Sequence, residues 1–295
     1  MTPASSATLS TFTASDGDNL ALHDWPVPEG TPLRGVVLLV HGLGEHAGRY
    51  EALAQRLNAW GFAVRGYDQY GHGQSGGPRG GLPGAGRLVD DLAEMVHSAR
   101  TRTPDGVPLI LLGHSMGGLV GALYAAAHPA SIDALVLSSP ALGTRVSGPQ
   151  KLLLRTLPRL APDLRVGNGL QTRWLSHDPA VERAYLADPL VHDRIAARLA
   201  GFITEGGPRV LAQAAQWKVP TLLLYAGQDR LVDPAGSRAF AAAAPQPVVR
   251  SHCFADLYHE IFNEQDAQPV FDCLQRWLDE RAPVAVAALK LPQAA

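Results

Sequence analysis

The chain has 295 residues, 18% of them charged and 46% in the hydrophobic set, with a formal net charge of −2 at pH 7. That length supports one large core, or one domain carrying an insertion, and the near-neutral charge lacks the basic footprint of a nucleic-acid binder. No run reaches the roughly 20 apolar residues of a membrane-spanning helix, and Cys253 and Cys273 make no disulfide framework and read as two buried free thiols.

The opening MTPASSATLSTFTASDG has neither a basic start nor an apolar stretch, so it does not read as a signal peptide and a cytoplasmic location is expected. Residues 9–13 and 20–25 flank Asp16-Gly17-Asp18-Asn19 and predict a hairpin. The run 36–40 is a buried strand that leads directly into HGLGEH, residues 41–46. A helix is expected over 50–60 and a strand over 62–67, which opens into DQYGHG. Residues 89–99 place Leu92, Met95, Val96 and Ala99 at helical spacing. Strands at 109–112 and 134–137 enclose GHSMGG and a small-residue helix after it. Strand and helix in alternation predict an α/β fold with a parallel sheet covered on both faces.

The alternation stops near Pro140 and resumes with a strand at 221–225, a helix at 236–243, a strand at 248–253 and a helix at 269–278. The stretch 141–207 is proline-broken and leucine-rich, has no strand runs, and is too long for a bare loop. It reads as a mostly helical insertion over the strand ends, dividing a core of 1–140 and 208–281, with 282–295 a loose tail. Within it, KLLLRTLPRL sets Lys151, Arg155 and Arg159 along one helical stripe and Leu153, Leu157 and Leu160 opposite, until Pro158 ends the helix. Those leucines either pack onto the domain below or meet a lipid surface, with the basic stripe at headgroup level.

GHSMGG puts Ser115 between Gly113 and Gly117 where a strand turns into a helix. A serine there stands exposed above the sheet, but the five-residue pattern alone is weak. It needs a base, and the base needs an acid that fixes its tautomer. In such folds the order is Ser, then Asp or Glu, then His. Beyond residue 221 only His252 and His259 remain. His252 falls inside a strand, whereas His259 follows it in a loop able to reach over the sheet, so His259 is the candidate base. Asp229 follows the strand ending at Tyr225 and is the candidate acid. Asp233 precedes Pro234 and reads as a helix N-cap. Asp256 ranks third. An oxyanion hole needs two converging backbone N–H groups, and Met116 and Leu43 are placed to supply them.

The sequence resembles the monoacylglycerol lipase and lysophospholipase branch of the α/β-hydrolases. The resemblance runs through HGLGEHAGRY, DQYGHGQSGGPRG, GHSMGG, LSSPAL, YLADPLVHD, GQDRLVD and YHEIFNE, which cover most of the chain. It implies a mostly parallel eight-stranded sheet flanked by helices, a helical cap, and Ser115, Asp229 and His259 as a triad. It also implies a polar end for glycerol near Glu45, Arg49, His114 and Tyr185, where a structural ion pair is an equal alternative for Glu45 and Arg49. Asp68 and His72 are expected to brace the loop beneath the site, and Leu43 stands where relatives often carry a smaller residue. The expected activity is ester hydrolysis of monoacylglycerols through an acyl-enzyme. Alternatives are a lysophospholipase, a short-chain carboxylesterase, an acyltransferase, or a ligand-binding protein with little turnover. No cofactor is expected, no Cys or His spacing suggests a metal site, and nothing in the sequence sets the oligomeric state.

Overall fold

A computed structural model describes residues 7–145 and 156–283. Eight strands form one sheet: β1 (Thr8–Thr13), β2 (Asn19–Trp25), β3 (Gly35–Val40), β4 (Phe62–Tyr67), β5 (Leu109–His114), β6 (Ala134–Ser138), then β9 (Thr221–Ala226) and β10 (Val249–Phe254). Their order across the sheet is β1-β2-β4-β3-β5-β6-β9-β10. The β1–β2 hairpin is antiparallel and β2 pairs antiparallel with β4; all other pairs are parallel.

The central strands are apolar on both sides because helices cover both faces. On one face Leu38, Leu111, Leu135 and Leu223 meet Leu92 and Met95 of α2 (Arg87–Arg102), Leu119 of α3 (Met116–Ala127) and Phe240 of the helix Pro234–Ala243. On the other, Leu39, Ile110, Val136 and Leu224 meet Leu57 of α1 (Glu51–Ala59) and Trp277 of the helix Gln268–Arg281. The period-two alternation along each strand thus feeds two separate cores. β3 pairs with β4 on one side and with β5 on the other. The order reverses there, and the crevice at such a switch point, beyond the carboxyl ends of the strands, is where ligands bind in open α/β sheets. The loops after β3 and β5 carry HGLGEH and Ser115.

Between β6 and β9 the chain departs from its sequence pattern. Residues 156–160 are helical, so the helix runs past Pro158 to Leu160 instead of ending at the proline, and Leu160 is 83% exposed; Lys151, Leu153 and Arg155 lie outside the described residues. The expectation of no strands is corrected: β7 (Arg165–Gly167) and β8 (Arg194–Ala196) pair as an antiparallel ribbon of only three residues each, too short to show a period. Helix α4 (Pro179–Ala187) starts with Pro179 at its first position and Asp178 as N-cap, accepting from the Ala180 N–H at 2.8 Å. Helix α5 (Ala197–Gln213) runs without a break through the expected boundary at 207/208. Gly206 and Gly207 let it lie close on its neighbours: a Cβ at Gly206 would sit 3.0 Å from the Leu119 side chain, and one at Gly207 2.4 Å from the Leu142 carbonyl oxygen. The helices Pro234–Ala243 and Gln268–Arg281 are α6 and α7.

The cysteines also differ from expectation. Cys253 is exposed on β10, the last strand at the sheet edge, and Cys273, on the helix Gln268–Arg281, is half-buried. Among the described residues, no helix is long and apolar enough to cross a membrane.

Candidate active site

Ser115 sits between β5 and α3 with φ 54° and ψ −118°, outside the ordinary left-handed well and strained for any residue with a Cβ. The turn is held from all sides. The Ser115 N–H donates to the Ser138 carbonyl at 3.0 Å, and its own carbonyl accepts from Leu119 at 3.1 Å and Ala141 at 2.9 Å. The flanking glycines follow from contact: a Cβ on Gly113 would lie 2.4 Å from the Gly117 carbonyl oxygen, and one on Gly117 2.1 Å from that of Val40. The G-x-S-x-G spacing is therefore a packing requirement of β3, β5 and α3.

Asp229 follows β9 and is buried. Its Oδ1 accepts from the N–H groups of Leu231 and Val232, both at 2.9 Å, and its Oδ2 accepts from His259 Nδ1–H at 2.6 Å. Burial opposes charge on Asp229, but the His259 charge and hydrogen bond and the two backbone donors outweigh it and hold the carboxyl below its ordinary range. Burial likewise opposes protonation of His259, and Asp229 outweighs it, so the imidazole pKa lies above 6.5. With Nδ1 committed to Asp229, the neutral ring keeps the lone pair on Nε2. The expected rivals stand elsewhere. Asp233 caps α6 through the Ala235 N–H at 3.0 Å, His252 lies exposed on β10 against Phe254, and Asp256 is exposed.

Ser115 and His259 line one cavity of about 530 Å³ together with Leu43, Glu45, His114, Met116, Tyr185 and Glu260. Its apolar lining includes Val166, Leu170, Ile195, Ile203, Leu231 and Val232. The loop after β3 lies against the serine: a Cβ on Gly42 would be 3.3 Å from Ser115 Cβ. No acceptor among the described residues takes the N–H of Leu43 or Met116.

Of the expected glycerol-end residues, Glu45, His114 and Tyr185 line the cavity and Arg49 does not. Arg49 stands behind it, bound to Glu45 and in a two-pronged pair to Glu260 at 2.8 and 3.0 Å, with its guanidinium 4.7 Å from the centre of the Tyr185 ring. Glu45 Oε1 accepts from the Gly42 N–H and the Tyr50 hydroxyl, each at 2.6 Å. Against the penalty of burial, Arg49, His114, His41 and Tyr50 lower the Glu45 pKa to about 2. Asp68 braces the two loops as expected, accepting from Ala47 N–H at 2.9 Å and Gln74 N–H at 2.8 Å. His72 is fixed by its Nδ1–H on the Tyr70 carbonyl at 2.9 Å.

The family Hydrolase_4, described as serine aminopeptidase, S33, matches residues 31–266. The chain belongs to this family. Relatives of this α/β-hydrolase include a monoacylglycerol lipase of Mycolicibacterium smegmatis, 37% identical over 270 residues that span 90% of this chain and 95% of that one. The crystal structure of a Paleococcus ferrophilus monoacylglycerol lipase is similar at TM-score 0.80 and 34% identity, covering 89% of this chain and 99% of that one. A soluble variant of monoglyceride lipase from Saccharomyces cerevisiae, solved in complex with a substrate analog, has the same fold at TM-score 0.86 and 24% identity, over 96% of this chain and 98% of that one.

Two features of this hydrolase escaped the sequence. Glu264, buried, accepts from Tyr258 N–H at 2.6 Å, His177 N–H at 3.0 Å and His177 Nδ1–H at 2.9 Å. It thereby ties the loop of His259 to the segment between β6 and β9, where the Glu260 N–H also donates to Leu175 at 2.7 Å. Glu264 belongs to the YHEIFNE motif, so the signal was there, but its partner is 87 residues away. The second feature is a set of enclosed histidines, with His41, His72 and His114 buried and His192 half-buried. Burial pushes His41 and His72 below 6.5, and His114 and His192 down to about 4. A folded-state pKa below the unfolded value means the unfolded chain binds more protons, so these groups remove stability as pH falls from about 6.5 toward 4. The melting temperature is expected to drop by several degrees between pH 7.5 and pH 5 in calorimetry. An unchanged value would mean these rings take up protons in the folded protein as readily as in the unfolded chain.

Proposed function

We propose that the chain hydrolyses the ester bond of monoacylglycerols to fatty acid and glycerol, with Ser115, His259 and Asp229 as its triad and residues 141–207 as a cap over the site. The observation that carries this is the pairing of His259 Nδ1 with Asp229 at 2.6 Å beside a strained serine in the same cavity. The similarity to monoacylglycerol lipases over nine-tenths of the chain supports the substrate class. His259 Nε2 takes the Ser115 Oγ proton as the oxygen attacks the ester carbonyl. The N–H groups of Leu43 and Met116 receive the oxyanion, each such donor being typically worth about 100- to 1,000-fold in rate. His259 then protonates the departing glycerol oxygen, and the acyl group stays on Ser115. Water that gives its proton to the same Nε2 attacks the acyl-enzyme, and the fatty acid leaves as Ser115 regains its proton. The apolar wall suits one acyl chain, and Glu45, His114 and Tyr185 suit a free diol. Contact of the cap with a lipid surface, with Leu160 exposed, fits a substrate that gathers at interfaces.

A cavity of this size and polarity is expected to give monoacylglycerols a kcat/KM far above that of triacylglycerols, measured in matched micelles. Comparable efficiency on long-chain triacylglycerols would refute the reading. One observation favours a second substrate. Arg145 and Arg230 line the cavity with no carboxylate partner among the described residues; Arg145 binds the Asp229 carbonyl at 3.0 Å and Arg230 lies 5.4 Å from the Trp174 ring centre. A lysophospholipid arm in the same panel tests whether they receive a phosphate.

A further inference from the structure

The oxyanion loop of this hydrolase is held from two sides. From the core side, Glu45 Oε1 accepts the Gly42 N–H at 2.6 Å and Asp68 the Ala47 N–H at 2.9 Å. From the other side, the segment after α4 reaches across. The His192 N–H donates to the Gly44 carbonyl at 2.9 Å, and Asp188 Oδ2 accepts from His46 Nε2–H at 2.8 Å. Gly44 has φ 79°, and a Cβ there would lie 2.5 Å from the His192 carbonyl oxygen and 3.3 Å from the Tyr185 hydroxyl, so the two backbones are in direct contact. The His46 ring is buried, its Nδ1 has no partner, and Asp188 is its polar partner among the described residues. The segment is itself anchored: Asp188 Oδ1 accepts from Leu190 N–H at 2.8 Å, and the Asp193 carbonyl accepts from Asn168 N–H at 2.6 Å. The Leu43 N–H belongs to the Gly42–Leu43 peptide, whose carbonyl accepts from His41 Nδ1–H at 2.7 Å, and it lies between one glycine fixed by the core and another fixed by this segment.

We infer that residues 185–193 form a strap that sets the angle of the oxyanion loop, and that Asp188 is a positioning residue for the reaction, acting through His46. This rests on the esterase reading above, and goes beyond it by making the hole complete only while the strap is docked. A donor turned away from the oxyanion loses worth in the transition state and little in the ground state. The strap therefore acts on kcat, for short and long acyl chains alike. A role in substrate binding would instead raise KM, and mainly for long chains.

The test compares wild type with Asp188→Ala and Asp188→Asn on a short soluble nitrophenyl ester and a long-chain monoacylglycerol. Asp188→Ala should lower kcat about 10-fold on both with KM nearly unchanged, less than the full loss of a donor. Asp188→Asn, which keeps an acceptor for His46, should recover most of it. Affinity for an alkyl trifluoromethyl ketone, whose tetrahedral adduct places its oxyanion in the hole, should fall by the same factor as kcat. The acid limb of the pH profile should stay in place, since the His259–Asp229 pair is untouched. Asp188 is partly exposed, so both variants should melt cooperatively; His192, which acts through its backbone, serves as a second probe by His192→Pro, which deletes the N–H to Gly44. Wild-type kcat in Asp188→Ala, a rise in KM in place of a fall in kcat, or unchanged affinity for the ketone overturns the strap. Wild-type protein that neither turns over these esters nor takes up a fluorophosphonate at Ser115 overturns the esterase reading instead.

Discussion

Ser115→Ala is expected to lower kcat by about a million-fold, because nucleophile and base act as a unit and the loss of either leaves only the oxyanion donors and binding. The folded protein should remain, since the Ser115 backbone holds the turn through Ser138, Leu119 and Ala141, and its side chain makes no hydrogen bond among the described residues. A second substitution separates chemistry from strain. At φ 54° and ψ −118° any Cβ is unfavourable, by about 1–3 kcal/mol. Alanine keeps that Cβ and glycine removes it, at a cost of up to about 1 kcal/mol in unfolded-chain entropy. Ser115→Gly should therefore be as inactive as Ser115→Ala yet melt at an equal or higher temperature. Loss of fluorophosphonate labelling in both, with folding intact, is the accompanying signature. Residual turnover within 100-fold of wild type in either variant would move the nucleophile elsewhere.

What the sequence could convey depended on how far apart the interacting residues lie. The sheet was legible because strands buried on both faces must be apolar throughout, and Val36 to Val40 or Leu222 to Leu224 have no other use for that pattern. The pairing of Asp229 with His259 was legible because chain order left only His252 and His259, the strand pattern around His252 set that one aside, and Asp233 beside Pro234 marked a helix start. The ribbon of β7 and β8 was not, since three residues carry no period and their register is set by contact with other segments. The split role of the glycerol-end residues was hidden for a related reason. Glu45 and Arg49 are four apart and pair as any helix-spaced charges would, but only Glu260, 211 residues from Arg49, decides that the guanidinium turns away from the cavity. The exposure of Cys253 follows from β10 being an edge, a property of strand order across the sheet and not of the strand.

Asp229→Asn should lower kcat by about 10,000-fold while leaving KM within a few-fold, and the physical cause is the tautomer. Asp229 Oδ2 accepts a hydrogen bond from His259 Nδ1–H at 2.6 Å, which leaves the Nε2 lone pair free to act as base in the proposed mechanism. An amide at the same place can turn its NH₂ to Nδ1, which puts the proton on Nε2, where it cannot accept the one from Ser115. The carboxylate also raises the His259 pKa above 6.5, because its charge outweighs the burial of the ring. In wild type, activity is therefore expected to rise with pH through a limb centred above 6.5, as His259 loses its proton. Without the charge, burial dominates and the limb should move below that of wild type. The sign for stability is opposite to that of the other buried histidines: a raised folded pKa stabilises below the unfolded value, and that contribution is lost as pH rises through the folded one. Asp229→Asn should then lose more stability near pH 6 than near pH 8, relative to wild type. Asp233→Asn is the control. It retains an acceptor for the Ala235 N–H and should cost about 1 kcal/mol or less, with activity unchanged. An inactive Asp233→Asn beside an active Asp229→Asn would transfer the acid to the helix cap. A limb that stays in place in Asp229→Asn would mean that the carboxylate orients His259 without charging it.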